Sequence, residues 1–239
     1  MVKNGIVNKY NRDIKKYGRY VYTDSQKLSS VIANQRLTDA VINSASFKNK
    51  MIIDIGCGDG TYTNIILKET KPKSIIGIDP ASDAIIIARK KYKNKNLQFR
   101  VANGYKLPFT KNSFDVAVLR GVLHHMDNPR KAINEAVRVA DEVIIIEPNG
   151  YNIFVKIIEK LSQYHKTHDE KSYFPFYLKK IICQSNARVV KEKYINFVPF
   201  FCPDIMARTM KKFEKTVESI PIINSLLCAA YLMVIKKSS

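Results

Sequence analysis

The sequence predicts an α/β fold built on a doubly wound parallel sheet of seven strands. From residue 51 onward, short apolar runs alternate with helical patterns, which is the order of strand–helix–strand units in such a sheet. Several runs are apolar through their middle, as strands covered by helices on both faces should be. A glycine-rich turn at residues 56–60 joins the first run to the helix that follows it.

The first strand and its turn carry the most specific pattern. The run at residues 51–53 ends at Asp54, and glycines follow at positions 56, 58 and 60 before a helix starts. Glycine accepts positive φ and lets a ligand approach the backbone, so the turn predicts a nucleotide-type site. Dinucleotide sites space their glycines G-x-G-x-x-G, whereas this turn has G-x-G-x-G. Asp54 and Asp59 would repel a pyrophosphate but not a ligand that carries an ammonium and a sulfonium.

The remaining elements continue the alternation. Further strands are predicted at residues 74–79, 97–101, 113–119, 142–147, 187–198 and 226–236. Helices are predicted at residues 61–68, 82–92, from 128 onward and at 151–164, with one or two in residues 1–48. Doubly wound sheets bind ligands at the carboxyl ends of their strands. The polar side chains predicted at those ends are Asp79, Asn103, Arg120 and Glu147.

These motifs together resemble a known family. The motifs are the turn at 54–60, Asp79, Leu-Pro-Phe at 107–109, Ser-Phe-Asp at 113–115 and Leu-His-His at 123–125. Over about residues 49–150, they follow the order found in the class I S-adenosylmethionine-dependent methyltransferases. The resemblance implies a Rossmann-like methyltransferase fold, mostly parallel with an antiparallel last strand. It implies a helical cap at residues 1–48 and a cofactor-binding domain at 49–239, with acceptor-facing insertions at about 151–186 and 199–224. It also implies S-adenosylmethionine as cofactor and S-adenosylhomocysteine as product.

The implied cofactor site is spread over the first four strands. The loop would contribute Asp54, Gly56, Cys57, Gly58 and Gly60, and the later strand ends Asp79, Pro80, Asn103, Gly104, Leu119 and Arg120. Asp79 can accept hydrogen bonds from both ribose hydroxyls. Its alternative role is to cap the next helix.

Other cofactor contacts leave alternatives open. Asn103 would face the adenine amino group, although Asn-Gly is also typical of a turn. A carbonyl of Leu119 or Arg120 would meet the methionine ammonium, and the Arg120 side chain could attract an anionic acceptor. Tyr20 and Arg19 could cover the methionine end, or their segment could simply pack on the sheet.

Methyl transfer mainly requires alignment and exclusion of water, and a base only where the acceptor must lose a proton. His124, His125 and Glu147 are the candidate catalytic residues. The alternatives are a loop-fixing hydrogen bond for a histidine, and helix capping or a charge pair with Arg120 for Glu147. No metal is expected, because the set His165, His168, Asp169 and Glu170 lies in a lysine-rich segment typical of a solvated loop.

The composition is strongly basic, with a net charge of +19 and an isoelectric point near 9.7. A net positive charge of this size is typical of proteins that bind RNA or make a peripheral contact with an anionic membrane. The alternative explanation is compositional, because the lysines are scattered and the chain is rich in Lys, Ile and Asn. Residues 220–235 are too short and interrupted to span a membrane. Four cysteines without paired spacing, and a start unlike a secretion signal, predict a cytoplasmic protein.

Two functions from different classes follow, and a third is disfavoured. The first is methylation of a small-molecule, sugar-linked or lipid-linked metabolite, because residues 147–150 and the apolar 151–213 region resemble methyltransferases related to ubiquinone and menaquinone biosynthesis. The second is RNA methylation through the basic surface, although no Asn/Asp-Pro-Pro-aromatic motif follows the fourth strand. A non-catalytic binding subunit is the third, and the intact loop and Asp79 argue against it.

Overall fold

The computed structural model describes residues 4–18, 20, 23, 26–163, 167, 171–200 and 202–238. Within this part of the chain, one sheet of seven strands forms the centre of the molecule. The strands are β1 (Met51–Ile55), β2 (Ser74–Asp79), β3 (Leu97–Val101), β4 (Phe114–Arg120), β5 (Ala140–Pro148), β6 (Ala187–Ile195) and β7 (Ala230–Lys237).

Helices occupy the connections between the strands. They are α1 (Asn4–Tyr17), α2 (Leu28–Ile42), α3 (Thr61–Thr70), α4 (Ser82–Lys91), α5 (Pro129–Val139), α6 (Ile153–Leu161), α7 (Pro175–Cys183), α8 (Asp204–Ser219) and α9 (Ile223–Leu227), with a 3-10 turn at Leu123–His125. In the described residues, no helix has both the length and the apolar character needed to cross a membrane.

The strand order is β3-β2-β1-β4-β5-β7-β6. Strands β1 to β5 are mutually parallel, and β7 runs antiparallel between β5 and β6. The predicted fold class, a mostly parallel seven-stranded sheet with an antiparallel last strand, is therefore confirmed. The order reverses between β1 and β4, and the crevice at such a switch point is where doubly wound sheets bind ligands.

The sheet is buried on both faces, as the apolar runs predict. In β1, Ile52 and Ile53 are both fully buried, but they belong to different hydrophobic clusters on opposite faces. Ile144 and Ile145 divide between the same two clusters in β5. Because successive strand residues point to opposite faces, β-branched residues at every position suit a sheet covered by helices on both sides.

The last two strands are shorter than predicted. β6 ends at Ile195 because Asn196 has a φ of 70° and its backbone N–H donates to Glu218 of α8 at 2.9 Å. β7 starts at Ala230 rather than at residue 226, since residues 223–227 form α9. Asn149, just after β5, is fully buried and donates through Nδ2 to the carbonyls of Ser225 and Cys228. This side chain fixes α9 at the carboxyl end of β5.

Candidate functional site

The glycine turn after β1 forms a close-fitting cradle. Gly56, Gly58 and Gly60 have φ values of 81°, 55° and 76°, a region that favours glycine. A Cβ at Gly56 would lie 2.2 Å from a methyl carbon of Val122, and one at Gly58 would lie 2.6 Å from the ring of Tyr20. Both the backbone conformation and the space therefore require glycine, which leaves the loop backbone open to a ligand.

Asp79 closes the turn from the end of β2. Its carboxylate accepts hydrogen bonds from the backbone N–H groups of Gly58, at 3.0 Å, and Ala81, at 2.8 Å. Burial raises the pKa of Asp79 to about 6, although the two backbone donors favour its charged form. Asp79 is buried, at 8% exposure, and its side chain lines the pocket beside the glycine turn.

Asp54 lies beneath the loop rather than in its wall. Its Oδ2 accepts a hydrogen bond from the Thr63 hydroxyl, which connects β1 to the first turn of α3. Burial raises the pKa of Asp54 to about 6, while the Thr63 hydroxyl and the charge of Arg120 oppose the rise. This carboxylate therefore adds negative charge to the site without forming part of the pocket surface.

A pocket opens at the carboxyl ends of β1, β2 and β4. Its cavity volume is about 190 Å³, and it opens to solvent. The floor includes the glycine turn and Asp79, and the opposite side is covered by residues from α1 and the segment after it. Those covering residues are Val7, Tyr10, Tyr20 and Thr23. Tyr20 thus lies where the sequence predicted a cap, whereas Arg19 lies outside the described residues.

Arg120 forms the side wall nearest α2. Its guanidinium stacks 3.5 Å from the centre of the Tyr62 ring and donates to Thr38 Oγ1 at 2.6 Å and to Asn34. Burial lowers the pKa of Arg120 from its ordinary value, with nearby Tyr62 and Asp54 opposing the change. The side chain therefore ties α2 to the sheet while it lines the pocket.

Glu147 supports the turn that follows β4. The side chain is 1% exposed, and its carboxylate accepts from the backbone N–H groups of Val122, Leu123 and His124 at 2.8, 2.8 and 3.1 Å. His124 Nδ1 lies 2.7 Å from the same carboxylate. Both carboxylate oxygens accept backbone hydrogen bonds inside the protein. An acceptor contact by Glu147 therefore lacks geometric support, and the capping alternative describes its contacts.

His125 follows His124 in the turn and lines the pocket, and the centres of the two imidazole rings lie 3.8 Å apart. The Tyr10 hydroxyl of α1 lies 3.0 Å from each ring nitrogen of His125, and the two rings meet edge to face. Tyr10 also packs edge to face on Tyr20. Contacts between the rings of Tyr20, Tyr10 and His125 therefore join the covering residues to the Leu123–His125 turn.

The pocket meets the requirements of an S-adenosylmethionine site. Its glycine cradle would be filled by any Cβ, and acidic Asp59 and Asp79 lie in its wall. The fixed cation in the wall, Arg120, is stacked and hydrogen-bonded on its own side of the pocket. A cationic sulfonium ligand suits this balance of charge better than a pyrophosphate does.

Residues 53–144 match a family model described as a methyltransferase domain. The chain carries a class I S-adenosylmethionine-dependent methyltransferase domain. The matched residues run from β1 into β5 and therefore contain the glycine turn, Asp79, Arg120 and both histidines.

Curated relatives match the methyltransferase domain over a limited length. An uncharacterized methyltransferase from Schizosaccharomyces pombe is 34% identical over 113 residues, which is 44% of this chain and 38% of that protein. A tRNA U34 carboxymethyltransferase from Helicobacter acinonychis is 30% identical over 122 residues, which is 45% of this chain and 44% of that protein. The chain thus spans less than half the length of these relatives.

Solved structures extend the likeness to the whole chain. A SAM-dependent methyltransferase from Thermotoga maritima superposes with a TM-score of 0.67 over 98% of this chain and 100% of that one, at 15% identity. At this identity the likeness shows the fold alone. The helices inserted around β6 therefore belong to the same architecture as the methyltransferase domain.

The structure separates the predicted site residues of the methyltransferase domain into two groups. Those that line the pocket are Gly56, Cys57, Gly58, Asp79, Pro80, Gly104, Arg120 and His125. Those that do not line it are Asp54, Gly60, Asn103, Leu119, His124 and Glu147. Asn103 Oδ1 accepts from the Tyr105 N–H at 2.9 Å, which is the turn alternative, and the Leu119 side chain is fully buried in the core.

Several lining residues were not predicted as site residues. Tyr62 lies in the first turn of α3, directly after the glycine loop, so its position relative to that loop was an available signal. Met126 follows the Leu-His-His motif in the same way. Tyr10 offered no local signal, because its contact with His125 spans 115 residues of sequence.

Among the residues that the structure describes, no group of three or more His, Cys, Asp or Glu side chains is arranged to hold a metal ion. The sequence cluster at His165, His168, Asp169 and Glu170 lies outside the described residues.

Proposed function

We propose that this chain transfers a methyl group from S-adenosylmethionine to an oxygen, nitrogen or carbon of a small-molecule, sugar-linked or lipid-linked metabolite. The observation that carries the proposal is the covered pocket: a glycine cradle with Asp79 beside it, covered by Tyr10 and Tyr20. A covered pocket with aromatic walls suits a small acceptor group and excludes water.

The residues of the cradle would hold the cofactor. Asp79 would accept the ribose hydroxyls, and the loop from Gly56 to Gly58 would pass against the methionine portion. Gly104 and Ala102 would border the adenine. When bound, S-adenosylmethionine supplies an electrophilic methyl group. The chain's own task is to align an acceptor with that group and to keep water out.

His125 is the better placed of the two histidines to contact an acceptor, because it lines the pocket while His124 is held by Glu147. Its partner Tyr10 fixes the ring orientation. If the acceptor must lose a proton, we expect His125→Ala to lower the methylation rate by about 10²-fold or more. Calorimetric affinity for the cofactor should stay within about threefold of wild type. An unchanged rate would assign His125 to shaping the pocket alone.

RNA is the second candidate acceptor. The net charge of +19 and the likeness to a tRNA U34 carboxymethyltransferase favour it. Binding to RNA through scattered lysines should weaken steeply with salt, because each neutralised phosphate releases a counterion. Against this candidate, the covering residues that the structure describes at the pocket include the aromatic side chains of Tyr10 and Tyr20 and no lysine.

One experiment separates the two acceptor classes. Purified protein is incubated with methyl-labelled S-adenosylmethionine and lysate from its own source, and the label is divided among RNA, protein, organic extract and small molecules. We expect label in the organic or small-molecule fraction. Nuclease-sensitive label would replace the metabolite proposal with RNA methylation, and label in no fraction would remove both.

A further inference from the structure

Helix α8 carries an apolar face that points outward. Met206 and Phe213 lie seven residues apart and therefore share one face, Ile220 follows directly after the helix, and Ile205 in the first turn is exposed as well. Their exposures are 44%, 57%, 39% and 79% in the same order. The opposite face packs on α2 through buried Ala207 and through Glu218, which is bonded to Arg36. The outward face is thus not needed to hold the helix in place.

The charges on α8 complement this apolar face. Arg208, Lys211, Lys212 and Lys215 are exposed along the helix. Of its three acids, Asp204 is exposed at the first position, Glu214 is 1% exposed and Glu218 is bonded to Arg36. A helix with large apolar side chains on one face, lysines beside them and few accessible acids has the pattern of an interfacial membrane helix.

Helices α6 and α9 continue the apolar surface. α9 packs on both α8 and α6, and it exposes Ile223 and Leu226. On α6, Phe154 is 62% and Leu161 74% exposed. The exposed side chain of Lys160 accompanies them, while the acid Glu159 is turned inward to Lys156 and Ser172. We call α6, α8 and α9 with these outward side chains the apolar platform.

The platform lies at the pocket edge of the sheet. α6 follows the carboxyl end of β5, and α8 follows the end of β6, which is parallel to β5. The carboxyl ends of β1, β2 and β4 open into the pocket at this same edge. A surface bound by the platform would therefore lie at the same edge of the sheet as the pocket.

We infer that the apolar platform docks on the surface of an anionic lipid bilayer. The lysines of the platform favour a lipid surface over a protein partner. Lysine is depleted at protein–protein interfaces, whereas anionic lipid attracts it. The inference goes beyond the proposed function and does not depend on it, since lipid binding is measured without acceptor or cofactor.

The test is flotation of the whole protein with lipid vesicles. The vesicles contain about one-third phosphatidylglycerol in phosphatidylcholine, with pure phosphatidylcholine for comparison. We expect binding to the anionic vesicles and little to the neutral ones. The double variant Ile205→Ser and Phe213→Ser should bind the anionic vesicles at least about tenfold more weakly, because it removes apolar side chains that enter the interface.

Matched control variants test whether the loss of vesicle binding is specific to the platform. Ile86→Ser with Val190→Ser changes two exposed apolar residues away from the platform, at 60% and 43% exposure, and should bind within about twofold of wild type. Two charge-reversal double variants are compared in the same way. Lys212→Glu with Lys215→Glu should weaken vesicle binding at least about tenfold, but Lys90→Glu with Lys93→Glu should not. The two charge variants have equal net charge, so diffuse attraction affects them equally.

Three results would overturn the inference. One is failure of the wild-type protein to float with anionic vesicles. Another is equal loss of binding in the platform and control variants, which would assign the attraction to the overall charge of +19. The third is a dimer, detected by light scattering without lipid and abolished by the platform substitutions, which would make the surface an interface between copies. Thermal unfolding of each variant checks that these exposed changes leave the fold intact.

Discussion

Replacing Asp79 by Ala is expected to weaken the affinity for S-adenosylmethionine by at least about tenfold, or 1.4 kcal/mol. A hydrogen bond to a charged group contributes about 1.5–3 kcal/mol, and a carboxylate at this place can accept two from a ribose. Loss of the side chain also frees the Gly58 and Ala81 N–H groups, which hold the cradle closed. Isothermal titration calorimetry with purified protein measures the change directly.

The pH dependence of cofactor binding follows from the same residue. Burial favours the neutral acid and raises the pKa of Asp79 to about 6, so the folded protein keeps this proton to a higher pH than the unfolded chain does. The resulting contribution to stability is present at acidic pH and is lost as the pH rises through about 6. A cationic ligand favours the ionised carboxylate instead. Affinity for the cofactor should therefore fall between about pH 7.5 and about pH 5, and less steeply in Asp79→Ala.

Asp115→Ala is the matched control for Asp79→Ala. Asp115 also lies at a strand end and accepts a backbone hydrogen bond, from the Met51 N–H at 2.7 Å, but it stands at the amino edge of the sheet. Its loss should leave the cofactor affinity unchanged. If Asp79→Ala binds S-adenosylmethionine as tightly as wild type, the ribose role of Asp79 is wrong.

The sequence was sufficient for the fold because its signals are local. Fully apolar runs place β1 and β5, and the glycine spacing places the turn, since each depends on residues close together in the chain. The predicted parallel sheet, its antiparallel last strand and the methyltransferase domain are confirmed. Strand ends were less well placed: β6 stops early because Asn196 is held by Glu218, a contact that apolar periodicity does not contain.

The site was harder to predict because side-chain direction is not local. Position alone places Glu147 and Asp54 at strand ends, but not whether they face the pocket or the interior. Glu147 turns inward because the N–H groups at residues 122–124 are buried and need an acceptor. Tyr10 reaches the pocket through the packing of α1 on α4, which no pattern within the first helix indicates.

The largest loss of stability is expected from Glu147→Ala. This change removes the acceptor of three backbone N–H groups and of His124, all in a buried turn. An unsatisfied buried polar group costs about 1–3 kcal/mol, and this change removes the acceptor from several at once. We expect the free energy of unfolding to fall by about 3–5 kcal/mol, a large share of the ~5–15 kcal/mol typical of a folded domain. Chemical denaturation at neutral pH measures it.

Glu147→Gln and Glu142→Ala distinguish this role from a general loss of charge on β5. Gln keeps one acceptor oxygen and should recover part of the stability. Glu142 lies on the same strand, where its contact with Lys236 is a 3.5 Å surface pair, so its loss should cost less than about 1 kcal/mol. Because Val122, at the start of the supported turn, lines the pocket and packs against Gly56, Glu147→Gln should also bind the cofactor more weakly. If the free energy of unfolding of Glu147→Ala lies within about 1 kcal/mol of the wild-type value, the turn holds its shape without this carboxylate. A change of that size is typical of substitutions on the exposed surface.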